Sequence, residues 1–117
     1  MTDKIKIYQK PTCSKCRETL GILRERGVDF DSINYYETPL TVDELRSLVK
    51  KLGVPPRDLL RKNEPIYREL KLSSSELSDD DLLKVMVENP DLIQRPIVVR
   101  GGKAILGRPP QSVDELI

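Results

Sequence analysis

Lys4-Ile5-Lys6-Ile7-Tyr8-Gln9-Lys10-Pro11-Thr12-Cys13-Ser14-Lys15-Cys16 is the stretch on which the fold turns. Lys4 to Tyr8 alternates, with Ile5 and Ile7 on one side, which predicts a strand. Gln9 to Thr12 predicts a turn. From Cys13 to Arg26 the apolar spacing becomes helical, with Cys16, Leu20, Leu23 and Gly27 on one face. Gly27 suits the position just past a helix end. Asp29 to Tyr36 then predicts a second strand. Strand, helix and strand in about thirty residues predict a parallel pair joined by a right-handed crossover.

The remaining elements follow from local signals. Thr41-Val42-Asp43-Glu44 is a capping box that opens a helix with Leu45, Leu48, Val49 and Leu52 on its apolar face, closed by Gly53. Pro55-Pro56 starts a short helical piece through Leu59, Leu60 and Arg61. Ser73 to Ser78 is a polar connection. Ser78 caps a further helix, with Leu82, Val85 and Met86 inward, stopped by Asn89-Pro90. Pro96 to Val99, Gly101-Gly102 and Lys103 to Leu106 predict a hairpin with a two-residue turn. Ser112-Val113-Asp114-Glu115 is a second capping box with little chain after it. The order β-α-β, helical middle, β-β-α predicts an α/β thioredoxin-like three-layer fold. Its mixed sheet has about four strands. The 117 residues then form one domain with a helical insert at about 41–92.

The 20 basic and 19 acidic residues leave a net charge of +1, without the basic excess of a general nucleic-acid binder. No apolar run approaches the roughly 20 residues of a membrane span. Met1-Thr2-Asp3-Lys4-Ile5 lacks the pattern of a signal peptide. The expected setting is the cytoplasm, away from membranes and nucleic acids, and the expected state is a monomer. Cytosolic thiols are kept reduced, so the only two cysteines are better read as catalytic or metal-binding than as a staple. A structural zinc site needs about four ligands, and there is neither a second cysteine pair nor any histidine, so no metal is expected.

A thiol at a helix N-terminus faces unpaired N–H groups and the positive end of the macrodipole, which favour thiolate. Lys10, Lys15 and Arg17 add local positive charge, and Gln9 offers a hydrogen bond from the strand end. Free cysteine titrates near 8.5, and such settings lower it to about 3.5–7.5. With no histidine in the chain, Cys13 cannot rely on an imidazole base. Cys16, on the apolar stripe, is either a buried resolving thiol of high pKa or a small hydrophobe filling space. Arg61, Arg95 and Arg108 each stand in a distinctive context. Guanidinium groups bind tetrahedral oxyanions through paired hydrogen bonds, although most arginines are solvated surface residues. X-Pro bonds are cis in about 5–6% of cases in folded proteins, and Pro96 occupies the place before the third strand where a thioredoxin arrangement has a cis proline.

Four segments carry a resemblance over nearly the whole chain. They are Ile7-Tyr8-Gln9-Lys10-Pro11-Thr12-Cys13, Leu59-Leu60-Arg61-Lys62-Asn63, Ile93-Gln94-Arg95-Pro96-Ile97-Val98-Val99 and Gly107-Arg108-Pro109. The chain resembles the glutaredoxin-linked arsenate reductases and their relatives, which include Spx-type regulators. The resemblance implies arsenate, or a similar small oxyanion, as substrate. It implies Cys13 as nucleophile and Arg61, Arg95 and Arg108 as oxyanion ligands. No cofactor is expected to be bound. Electrons are expected from glutathione with glutaredoxin, or from thioredoxin through a Cys13–Cys16 disulfide. Three departures from the best-known branch stand out: the second cysteine Cys16, Gln9 in place of a histidine, and a shorter C-terminal segment. The alternatives are a general thiol–disulfide oxidoreductase and an Spx-like redox sensor that binds RNA polymerase.

Overall fold

The computed structural model describes residues 4–10, 12–72 and 76–117. Pro11 of the expected turn, residues 73–75 of the polar connection and residues 1–3 lie outside them. The chain divides into two compact units, Met1–Pro39 with Arg95–Ile117, and Leu40–Gln94.

The first unit holds β1 (Ile5–Gln9), α1 (Ser14–Glu25), β2 (Phe30–Asn34), β3 (Ile97–Arg100) and β4 (Lys103–Leu106). The sheet order is β2-β1-β3-β4. β1 runs parallel to β2 and antiparallel to β3, and β3 to β4 is antiparallel. This is the thioredoxin-like mixed sheet that the element order predicts. Ile5, Ile7 and Val98 pack with Leu20 and Leu23 of α1 and with Val113 and Leu116 of a C-terminal 3-10 turn, Pro110–Glu115. Burying a side chain such as Leu23 is worth about 1.5–3 kcal/mol, so this seam fixes α1 on the sheet.

α1 ends where its sequence says it should. Gly27 has φ +64°, and the Gly27 and Val28 N–H groups donate to the Arg24 and Leu23 carbonyls at 3.1 and 3.2 Å. This is the Schellman closure, and a side chain at Gly27 would be strained in it. β2 is shorter than the apolar pattern suggests. It stops at Asn34 because the Asn34 side chain accepts from the Tyr36 N–H at 3.0 Å and its carbonyl accepts from Glu37 and Thr38. An Asx turn therefore replaces the last strand residues, Tyr35 and Tyr36.

The second unit holds α2 (Val42–Leu52), α3 (Pro65–Glu69) and α4 (Asp79–Glu88), with 3-10 turns at Pro56–Leu59 and Pro90–Leu92. The Thr41 box forms as written: the Glu44 N–H donates to Thr41 Oγ1 at 3.1 Å and the Thr41 N–H to Glu44 Oε1 at 3.2 Å. α2 packs on α4, burying Leu45, Leu48 and Val49 on one side and Leu82, Leu83 and Met86 on the other. Leu83 thus takes the inward place expected of Val85. The helical piece after Pro55 ends at Leu59; Leu60 pairs in extended form with Ile93. The short α3 was not expected, although Pro65 at its first position is a usual start signal. No helix among the described residues is long and apolar enough to cross a membrane.

The second capping box does not form. The C-terminal turn begins at Pro110, two residues before Ser112, and the Ser112 N–H donates to the Pro109 carbonyl at 2.9 Å. Ser112 is therefore already inside the turn. Thr41→Ala should cost about 1 kcal/mol in urea unfolding, whereas Ser112→Ala should cost less than about 0.5 kcal/mol.

Candidate active site

The sheet register brings distant segments to one end. Gln9, at the end of β1, pairs with Asn34 at the end of β2. Tyr8 pairs with Ile97 at the start of β3, and Ile97 pairs with Leu106 at the end of β4. The chain leaving β1 toward Cys13, the chain entering β3 from Arg95, and the chain leaving β4 toward Arg108 therefore meet. So does Tyr35-Tyr36, just past β2.

Cys13 is the N-cap of α1, with φ −84° and ψ 123°. Its N–H donates to the Lys10 carbonyl at 2.9 Å, and its carbonyl accepts from the Arg17 N–H at 3.1 Å. No cap hydrogen bond of ordinary geometry closes this end, yet the Cys16 N–H faces the Cys13 sulfur closely enough to favour its charge. Arg108 bridges the site. Its Nε donates to the Arg95 carbonyl at 2.6 Å, and its Nη2 lies 3.8 Å from Cys13 Sγ.

The two cysteines are driven apart electrostatically. Burial works against charge on Cys13, but hydrogen bonds from the Cys16 thiol and N–H, then the Arg95 and Arg108 cations, outweigh it and hold the Cys13 thiol below its ordinary value. Cys16 is 0% exposed, and burial first, with the neighbouring Cys13 sulfur adding, pushes it up to about 12. The cations that count differ from the local ones expected. Lys15 pairs with Glu18 at 3.5 Å, and Lys10 lies 4.7 Å over the Tyr36 ring. Gln9 also points elsewhere: its Nε2 donates to Ser32 Oγ at 2.9 Å.

Arg95 is only 5% exposed. Burial disfavours its charge, but Tyr35, Tyr36 and Cys13 more than compensate, so its pKa rises. The peptide bonds Arg95–Pro96 and Arg108–Pro109 are both cis. Gly107 makes the approach between them possible. Its N–H donates to the Pro96 carbonyl at 2.9 Å, and a Cβ there would sit 2.7 Å from both Pro96 Cγ and Thr19 Oγ1. Thr19 is itself fully buried and bonded to the Lys15 carbonyl at 2.8 Å, so it has little room to yield.

Cys13, Cys16, Arg95, Pro96 and Arg108 thus lie in one unit. Arg61 belongs to the other, where its Nε pairs with Glu64 at 3.2 Å and its N–H donates to the Leu92 carbonyl at 2.8 Å. Among the described residues, no group of three or more Cys, Asp or Glu is arranged to hold a metal. Sequence reasoning missed Tyr35 and Gly107. Tyr35 read as one more strand residue, and the need for glycine at 107 arises from contacts with Pro96 and Thr19, distant in sequence.

The model of the ArsC family matches residues 8–116. The chain belongs to the ArsC family. An uncharacterized Escherichia coli protein, YfgD, is 49% identical over 118 residues, covering 100% of this chain and 99% of that protein. A Haemophilus influenzae protein named arsenate reductase is 41% identical over 112 residues, covering 95% of this chain and 97% of that one. A solved structure named arsenate reductase from Vibrio cholerae superposes with TM-score 0.95 at 45% identity, covering 100% of both chains. The fold and the family resemblance read from the sequence both stand on these matches.

Because its pKa is lowered, Cys13 should be alkylated by iodoacetamide at a rate that rises with pH through a midpoint below that of an ordinary thiol. Removing a cation that stabilises the thiolate must move that midpoint upward, so Arg108→Ala should shift the profile to higher pH; Cys16 should stay unlabelled until the protein unfolds. Mass spectrometry of labelled peptides reads both. Gly107→Ala should destabilise the fold by about 1–3 kcal/mol in urea unfolding, as other overpacked sites do.

Proposed function

We propose that this protein reduces arsenate to arsenite, with the Cys13 thiolate as nucleophile. The observation that supports it best is the meeting of Cys13 with Arg108 at 3.8 Å and the buried Arg95, in a member of the ArsC family. The names of the relatives point to the same substrate. Arg61 enters this reading through the family resemblance alone.

The chemistry needs a charged sulfur and fixed cations. The Cys13 thiolate attacks arsenic of the arsenate dianion, an S–As bond forms, and one oxygen leaves as hydroxide or water. Arg95 and Arg108 offset the charge that shifts among the remaining oxygens, the kind of preorganised stabilisation that usually dominates such catalysis. A second thiol then attacks the Cys13 sulfur. The S–As electron pair stays on arsenic, which leaves as arsenite, and a disulfide forms. Two thiols have each lost one electron and arsenic has gained two. Cys16 suits the role of second thiol by position, since its sulfur hydrogen-bonds to that of Cys13. Its raised pKa means that it must lose its proton during the attack. A dithiol donor such as thioredoxin would then reopen the Cys13–Cys16 disulfide. Glutathione with glutaredoxin is the other donor, and it requires only Cys13. Both systems belong to the cytoplasm, the setting this reading assigns.

The same cysteine pair supports a general thiol–disulfide oxidoreductase as the second reading. Coupled assays separate the two. Wild-type protein should oxidise NADPH in an arsenate-dependent manner with thioredoxin and its reductase, or with glutathione, glutaredoxin and glutathione reductase. Cys13→Ser should abolish the reaction with both, while Cys16→Ser should lose the thioredoxin-coupled rate and keep any glutathione-coupled one. No arsenate-dependent oxidation with either system would reject arsenate as substrate.

A further inference from the structure

Arg95 presents a physical problem. It is a buried guanidinium, and burying a cation is costly unless its donors are met. A carboxylate would meet them but would also cancel the charge an oxyanion needs. Arg61 shows that solution elsewhere in the chain, paired with Glu64.

The groups around Arg95 answer it differently. Tyr35 is 2% exposed, and its phenol oxygen accepts a hydrogen bond from the Arg95 guanidinium. The turn that follows β2 holds Tyr35 there: Asn34 Oδ1 takes the Tyr36 N–H, and the Asn34 carbonyl takes the next two N–H groups in line. Tyr36 leans on Tyr35 with ring centroids 5.0 Å apart, and Lys10 covers the Tyr36 ring at 4.7 Å. At the other side, the Arg95 carbonyl is taken by Arg108 Nε. Arg95 is thus held at its main chain by Arg108 and at its side chain by Tyr35. A neutral phenol fixes the direction of a guanidinium while leaving its full positive charge in place.

We infer that Tyr35 is a positioning residue, which aims the Arg95 guanidinium at the Cys13 sulfur and at an oxyanion bound there. Its part in oxyanion binding rests on the reading of the site as an arsenate reductase; its part in supporting the Cys13 thiolate does not. Tyr35 touches no reacting atom in this account and acts only through Arg95.

The test is Tyr35→Phe, which keeps the ring and its packing and removes the hydrogen-bond acceptor. The midpoint of Cys13 alkylation by iodoacetamide should move to higher pH, and the KM for arsenate should rise about ten-fold, as for loss of one hydrogen bond to a charged group. The thermal midpoint checks that the fold survives. A double-mutant cycle separates positioning from mere packing: in an Arg95→Ala background, Tyr35→Phe should change neither quantity further. A wild-type alkylation profile in Tyr35→Phe overturns the inference. So does a Tyr35→Phe effect that is undiminished when Arg95 is already absent. If wild-type protein reduces no arsenate, the functional reading fails on its own, and the alkylation cycle still decides the role of Tyr35.

Discussion

β1 is hydrogen-bonded on both edges, to β2 in parallel and to β3 in antiparallel register, and its Ile5 and Ile7 are sealed under α1. The site depends on this strand. A one-residue slip would turn Ile5 and Ile7 away from the core, so burial pins the register. The register in turn sets which residues leave the sheet together at its end. Cys13 follows β1, Tyr35 follows β2, Arg95 precedes β3 and Arg108 follows β4. Their meeting is a consequence of strand pairing, achieved before any attraction between them acts.

The two cysteines show how one motif yields two different thiols. They are three residues apart, so one turn of helix places both sulfurs at the same helix end. Cys13, at the cap and half-buried, gains hydrogen bonds and two cations. Cys16, on the inner face, loses water and gains a sulfur neighbour that carries negative charge. The first effect favours thiolate and the second opposes it, and each stems from where the helix puts the side chain. The arginines divide along similar lines. Arg61 has a carboxylate partner, whereas Arg95 is held through a phenol and Arg108 through a carbonyl, neither of which cancels charge.

Local signals were legible wherever one short segment satisfied its own backbone. The Thr41 capping box, the glycine after α1 and the two-residue hairpin turn all formed as read, because their partners lie within a few residues. The same logic explains the failures. Ser112 carries a box pattern, but Pro110 starts the turn earlier and leaves Ser112 no free end to cap. Tyr35 and Tyr36 suit a strand by residue type, yet the Asn34 side chain offers the backbone a turn. Val85 and Leu83 are both apolar, and only the packing of α4 on α2 chose between them.

The sequence by itself determined the cysteine pair at a helix start, the βαβ opening, the helical middle and the exclusion of an imidazole base, since each depends on residue type and short-range spacing. Only the tertiary structure decided which cations reach Cys13. Lys15, close in sequence, is paired with Glu18, while Arg95 and Arg108, more than eighty residues away, stand at the sulfur. The reason is geometric. Charge acts through distance in space, and in this chain that distance is set by strand register and by the contact of Gly107 with Pro96 and Thr19, neither of which a linear pattern contains.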